Sequence, residues 1–251
     1  MNTSPLEHYF DVKTTQLDMV EDRGYIIPEH EKHIVDTLED FRDYITNQNS
    51  YKGNDYWSRK GLDINKVDKE YWKKLEAVDN NNKFDKDNYL SWQLYWNANN
   101  DKVLLVYYFN NDKSIPVEFI RHLNNFSELI KKSLFDVSMS NVLISNNDLS
   151  TDSRKNLKLI PKTRFFLDDE LTYNPVKNVN NQEYFLLSRD EVTEIERELK
   201  LDKSKFSGIK LEHAVVQYYG WEIGDVVKII RTERHVKILG NKSINYRVVI
   251  V

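Results

Sequence analysis

Apolar residues recur at helical spacing from the start of the chain. Leu6, Phe10, Leu17 and Val20 fall on one face of a helix. Asp22-Arg23-Gly24-Tyr25 ends it, with Gly24 suited to the left-handed backbone that closes helices. Pro28 opens a second helix where its missing N–H costs nothing. The stripe of that helix is Ile34, Leu38, Phe41 and Ile45, spaced by 4, 3 and 4. Residues 47–100 break the pattern, because Asn, Asp and Lys dominate while Tyr51, Tyr56, Trp57, Tyr71, Trp72, Tyr89, Trp92, Tyr95 and Trp96 are interspersed. The segment reads as an enlarged loop or insertion packed on a core, with local disorder expected around Asp79-Asn80-Asn81-Asn82.

Strand and helix periods alternate from Val103 onward. Val103–Phe109 is a continuous apolar run of strand length, as a strand buried on both faces requires. Pro116 opens a helix to about Lys132, with Val117, Ile120, Leu123 or Asn124, Leu129 and Ile130 inward. Asn141–Ile144 is a second strand. Ser150 is placed to cap a short helix carrying Leu157 and Ile160, and Thr163–Leu167 is a third strand. This order predicts parallel strands joined by crossover helices.

A change to Asn, Pro and Val over Leu171–Glu183 marks a linker. Ser188-Arg189-Asp190-Glu191 then fits a capping box before a helix whose buried stripe is Val192, Ile195 and Leu199. A short helix over His213–Tyr219 ends at Gly220, and Ile223-Gly224-Asp225 is a turn. Val226–Arg231 and Ile244–Val251 are strands, with Gly240-Asn241 in the turn-rich segment between them. Because the last strand is apolar to its end, Tyr246–Ile250 is expected to pair inside the sheet against Val226–Arg231, with several side chains buried. The fold class is α/β plus α+β. An N-terminal α/β domain with leading helices spans 1–170, with 47–100 as its insertion. A linker follows over 171–183, then a small C-terminal α+β domain with a short sheet over 184–251.

Composition narrows the function. The 251 residues are 40% hydrophobic and 12% aromatic, enough for a sizeable core. With no Cys and no signal-like N-terminus, an intracellular location is expected, in nucleus or cytoplasm. No run approaches the roughly 18 apolar residues of a membrane span, so no membrane partner is expected. The formal charge of −4 is uneven: residues 1–100 carry 13 Lys+Arg against 19 Asp+Glu, whereas 101–180 carry 11 against 10 and 181–251 carry 12 against 11. No segment has the basic excess of an independent nucleic-acid binder, so a protein partner is expected to supply the affinity. For the same reason the aromatic-rich insertion reads as core packing or a docking surface rather than a stacking platform for single strands. His30 and His33 lie three apart with no third ligand visible, and a solvated helix face is the preferred reading. No metal, cofactor or small-molecule substrate is expected. With seven Gly, no phosphate loop and no nucleophile motif, no catalytic residue is identified.

The C-terminal motifs carry a resemblance. Gln217-Tyr218-Tyr219-Gly220, Gly224-Asp225-Val226-Val227-Lys228-Ile229-Ile230-Arg231 and Tyr246-Arg247-Val248-Val249 follow one another in order. Together with the capping-box helix ahead of them, they resemble the fifth subunit of eukaryotic-type DNA-directed RNA polymerases. In the archaeal enzyme the same C-terminal domain stands alone as a small separate chain. Asp22-Arg23-Gly24-Tyr25, Thr37-Leu38-Glu39-Asp40-Phe41, the strand-helix-strand stretch 103–144 and the following Leu149–Leu157 helix resemble that family's N-terminal jaw. The sequence departs from the family where Asp-Pro becomes His213-Ala214 and where the jaw's Thr-Pro-Ser-Ala turn becomes Ser150-Thr151-Asp152-Ser153. These departures, the Asn- and Lys-rich character and the enlarged 47–100 region suit the polymerase of a large DNA virus, for which a virion location is also expected.

The resemblance implies a non-catalytic polymerase subunit, with assembly on the largest subunit and a jaw near downstream DNA. It assigns the largest-subunit contact to Gly224, Val227, Lys228, Ile229, Ile230, Arg231, Tyr246 and Arg247. A weak contact with downstream duplex DNA falls to Ser150, Thr151, Arg154 and Lys155. Other polymerase subunits are the remaining partners. Jaw domains of this family also resemble restriction endonucleases, whose chemistry needs a carboxylate and a Glu-x-Lys on core strands. The strands at 103–109 and 141–144 carry no acidic residue, and Asp168-Asp169-Glu170 lacks a positioned Lys. The alternative from another class is a free-standing binding module that regulates or mimics a polymerase subunit.

Overall fold

Seven consecutive apolar residues, Val103–Phe109, can be satisfied only by a strand covered on both faces, and that need organises the first part of the chain. A computed structural model describes residues 4–48, 54–80, 82, 91–110, 112–177, 182–232 and 242–251. The chain divides into two units, Met1–Thr172 and Tyr173–Val251. In the first, the elements are α1 (Pro5–Asp22), β1 (Tyr25–Ile26), α2 (Leu38–Gln48), α3 (Asn54–Arg59), α4 (Lys69–Asn80), β2 (Trp92–Asn97), β3 (Lys102–Phe109), α5 (Val117–Ser133), β4 (Ser138–Ser145), α6 (Thr151–Leu157) and β5 (Thr163–Leu167). The sheet order is β1-β2-β3-β4-β5, antiparallel up to β3 and parallel from β3 to β5. The parallel part is the predicted crossover pattern.

One sheet face packs on α3 to α6, where Trp57, Leu75, Phe119, Leu123, Phe126 and Leu157 meet Trp92, Leu105, Tyr107 and Leu143. Inward on α5 is Leu123, while Asn124 is exposed. Tyr95 and Tyr108 stand on the other face. The Tyr95 hydroxyl meets Lys13 and that of Tyr108 meets Gln16 of α1, whose Val12, Leu17, Met19 and Val20 are also buried. Gly24 closes α1 with φ +80°, as its sequence position predicts.

Three expectations for this unit are refined. The described part of 47–100 packs on the core as expected, through Trp57, Leu62, Val67, Leu75, Trp92 and Leu94, but it is regular structure and no loop, since β2 pairs along β3 in the main sheet. Of the expected disordered stretch, Asp79 and Asn80 belong to α4 while Asn81 lies outside the described residues; the Asp79 carboxylate accepts hydrogen bonds from Tyr56 Oη and Trp92 Nε1. The expected second helix is split into a 3-10 turn at Glu29–Glu31 and α2. Thr37 Oγ1 accepts the Asp40 N–H, so a local cap starts the helix late.

The second unit holds β6 (Gln182–Leu186), α7 (Arg189–Leu199), β7 (Ser207–Lys210), α8 (Ala214–Tyr219), β8 (Val226–Thr232) and β9 (Lys242–Ile250). Its sheet order is β6-β8-β9-β7. β9 pairs antiparallel with β8, as expected, and parallel with β7, which the sequence pattern does not reveal, nor does it reveal β6. The capping box at Ser188 is formed in both directions. Gly220 (φ +71°) ends α8. Parts of the expected linker are built in, as Leu171 is buried in a 3-10 turn and the buried Asn174 Nδ2 donates to Tyr218 Oη. Asn178 to Asn181 and Gly240-Asn241 lie outside the described residues. Among the described residues no helix is long and apolar enough to cross a membrane.

The least expected element of the core is a buried ion pair. Lys13 Nζ reaches Glu31 Oε2 at 3.3 Å and Tyr95 Oη at 3.1 Å. Tyr95 Oη donates to the same carboxylate oxygen at 2.7 Å, and Tyr44 Oη donates to the other at 3.1 Å. The group ties α1, the 3-10 turn, α2 and β2 together. Burial by itself would raise the Glu31 pKa, but Lys13 and the Tyr95 hydroxyl outweigh it and hold the carboxyl below its ordinary 4.5. A depressed carboxylate contributes its full stability above the unfolded value and loses it as pH falls through the folded one. Glu31→Gln should therefore flatten the acid limb of the stability–pH profile. At pH 7 it should cost about 3–5 kcal/mol by urea unfolding, because Lys13 is left buried without a counter-charge. The double change Lys13→Met with Glu31→Leu should cost less than either single change.

Candidate functional site

Strand register decides which residues of the second unit can meet a partner. Phe185 pairs with Lys228, and Lys228 with Tyr246; Glu183 pairs with Ile230, and Ile230 with Ile244. Directly paired residues share a sheet face. Two cross-strand rows therefore lie side by side: Phe185-Lys228-Tyr246 and Glu183-Ile230-Ile244. Alternation sends Val227 and Ile229 to the opposite face, where Val215, Val216 and Trp221 from the α8 region cover them.

The outer face is closed at one end, where Val226 is 2% exposed, and opens toward β6 and the far end of β9. There Phe185 is 46% and Ile244 50% exposed. Lys228, Ile230 and Tyr246 are half-buried between them. The Phe206 ring lies 6.0 Å from that of Tyr246 and extends the apolar surface. On α7, Val192 and Ile195 are only half-buried and Leu199 is 46% exposed, which corrects the expectation of a buried stripe. The capping box explains why this helix forms without a buried face. Burial of β9 is also narrower than expected: Val249 is 1% exposed, but Val248 is half-buried and Ile250 exposed.

The residues picked from the sequence thus separate. Lys228, Ile230 and Tyr246 belong to the open face. Val227 (0% exposed) and Ile229 (2%) are core residues with no surface to offer a partner, a correction that follows from the strand period. Arg231 and Arg247 share the face of Val227, where Arg247 Nη1 donates to the Gly208 carbonyl at 3.4 Å. Gly224, at φ +91°, makes the turn that delivers β8, and its N–H donates to the Val249 carbonyl. Phe185 and Ile244 are not signalled by the sequence, because β6 carries no clear strand pattern and the exposed side of β9 depends on its pairing with β8.

The second predicted site is the turn that starts α6. Ser150 caps the helix, its Oγ accepting the Ser153 N–H, and Ser153 Oγ donates to the buried carbonyl of Ile115. Arg154 forks onto both oxygens of Asp148 at 2.7 Å, and Lys155 lies 3.5 Å from Asp152. Ser150, Thr151, Arg154 and Lys155 are brought together, but each cation is matched by its own carboxylate.

Other titratable groups have structural partners. His33 Nδ1 pairs with Asp36 at 2.8 Å, while burial lowers the pKa of His30, which lines a cavity of about 210 Å³ with Asp40, Asp43 and Arg59. His8 Nε2 meets Asp168 at 3.0 Å, and Asp169 is near its other ring nitrogen. With both ring nitrogens facing carboxylates, the imidazole works as a staple between α1 and the 3-10 turn after β5.

Val249 is the position on which the second unit's sheet most depends. β9 is central, and Val249 is also bonded through its backbone to Gly224 and Asp225. Val249→Asp should cost about 3–5 kcal/mol by placing an unpaired charge in the core, enough to unfold this unit in a circular dichroism melt.

The comparisons with known proteins agree with this architecture. The family model described as RNA polymerase Rpb5, N-terminal domain, matches residues 3–126. The model described as RNA polymerase Rpb5, C-terminal domain, matches residues 173–249, which span the β6-β8-β9-β7 sheet. Both halves of the chain, in the family's order, make it a member of the Rpb5 family of RNA polymerase subunits.

Proposed function

We propose that this polymerase subunit is non-catalytic and is anchored to the largest subunit by the outer face of its C-terminal sheet. The observation that carries the reading is the row Phe185-Lys228-Tyr246 beside Ile230 and Ile244. Exposed apolar residues in register across three strands form a patch that a free monomer has no use for. Lys228 at its centre supplies a charge for a carboxylate on the partner. The core strands β3 and β4 carry no acidic residue to hold a catalytic metal, which supports an accessory role. The same reading keeps the chain with its polymerase in nucleus or cytoplasm, and in the particle if that polymerase belongs to a large DNA virus.

Ile244→Asp and Lys228→Glu alter only this face. Each should leave unfolding within about 0.5 kcal/mol of the parent and lower incorporation into the polymerase about tenfold, read by co-purification with the largest subunit. Normal incorporation of both variants would remove the docking face. A chain that never co-purifies with a polymerase would favour the free-standing regulator instead.

For the jaw, we infer a weak role at downstream DNA. Residues 1–172 carry 23 Lys+Arg against 29 Asp+Glu, and the α6 turn is charge-balanced, so little counterion release is available. Fluorescence anisotropy with duplex DNA should show binding no tighter than roughly the micromolar range at physiological salt, weakening with a shallow slope as salt rises. Asp148→Asn, which frees Arg154, should strengthen it. Tight, sequence-specific binding by the isolated chain would contradict this role.

A further inference from the structure

The connections that lead into β3, β4 and β5 share one end of the first unit's sheet, and the backbone there is unusual. Five described non-glycine residues have positive φ, and Asn100, Phe135, Asp136 and Lys162 lie in these connections. The fifth, Lys200, caps α7. Phe135 stands out. It follows the C-cap Leu134 of α5; its N–H donates to the Lys132 carbonyl, and the Asp136 N–H donates to that of Lys131. These are the two bonds of a Schellman motif, and Phe135 (φ +57°) holds the position that glycine normally fills. A side chain in that conformation is strained. Phe135 gains nothing from this fold in return, because it is 70% exposed.

Leu159, in the neighbouring connection, is 79% exposed. Ile160 beside it is buried, so the segment itself is packed while Leu159 points outward. The two connections are adjacent, since Lys162 Nζ donates to Ser138 Oγ at 3.3 Å and the Asn141 N–H donates to the Lys162 carbonyl. Charge at this end runs against that of the unit. Lys102, Lys131, Lys132, Lys158 and Lys162 lie in or beside these connections with Asp101 and Asp136, and Asp68 joins them through its N–H bond to the Ser133 carbonyl, five cations against three anions on a unit whose sequence totals 23 against 29.

We propose that this end is a second docking site, distinct from the C-terminal sheet face, for an acidic amphipathic protein segment. Phe135 and Leu159 would anchor its apolar side chains, and the surrounding lysines would pair with its carboxylates. A bare phosphate backbone would make no use of two exposed apolar anchors, so a polypeptide fits better than a nucleic acid.

The test uses the full chain and three fluorescent probes. One is a synthetic helical peptide with Leu and Phe at i, i+3, i+4 and i+7 and Glu or Asp elsewhere. The others are the same peptide with Lys replacing the acids, and a duplex DNA. The acidic peptide should bind, the basic one at least tenfold more weakly. Phe135→Gly and Leu159→Ser should each weaken the acidic peptide about tenfold, and Lys162→Glu should reduce its salt dependence. Because glycine relieves the strained backbone, Phe135→Gly should also melt about 2–4 °C higher than the parent, which separates lost docking from lost folding. Lower melting of Phe135→Gly would make Phe135 a structural residue and overturn the proposal. So would unchanged peptide binding in that variant, absence of binding by the parent, or stronger binding of the DNA lost with Phe135→Gly.

Discussion

Strand β3 must be dry on both faces, and most of the first unit follows from meeting that demand. One face is covered by α5 and the aromatic residues of α3, α4 and β2, the other by α1. The hydroxyls of Tyr95 and Tyr108 stand on the α1 side, so α1 has to arrive with polar partners as well as apolar bulk. Gln16 answers Tyr108, and Lys13 with Glu31 answers Tyr95. A fully buried ammonium and carboxylate are tolerated because each satisfies the other and two tyrosines complete the carboxylate's bonds. The outcome is a helix locked in register against the sheet, and a 3-10 turn held where a free segment would otherwise hang.

The second unit solves a smaller problem with fewer means. Its sheet is covered on one face by α8, and the core comprises Ile209, Val215, Val216, Trp221, Val227, Ile229 and Val249. That is little for a unit of 79 residues, since small domains bury a smaller share of their surface. The uncovered face keeps Phe185, Ile230, Ile244 and Tyr246 available. If the proposed docking holds, such a patch would become core once the partner is in place, and assembly would complete the domain. The first unit shows the same economy at the Phe135 turn, where an apolar side chain is kept at a glycine position.

Much of this was legible in the residues themselves. The apolar run at 103–109, the Pro and Ser caps at 116 and 150, the capping box at 188 and the glycines at 24, 220 and 224 all act within a few residues of themselves. Their consequences could therefore be read locally. The motif from Gln217 to Arg231 and the Tyr-Arg of the last strand carried the family resemblance for the same reason, since order and spacing are sequence properties. What was not legible was long-range. That Trp92 to Trp96 form a strand depends on pairing with β3, and Lys13 is a core residue only because Glu31 and Tyr95 converge on it. Asp79 is ordered because Tyr56 and Trp92 donate to it. The division of the residues expected to contact the largest subunit has a similar origin. From its residues alone Val226–Arg231 is a strand whose side chains alternate. Which alternate set is buried follows from where α8 packs, because the covering helix, and not the strand, chooses the inner face.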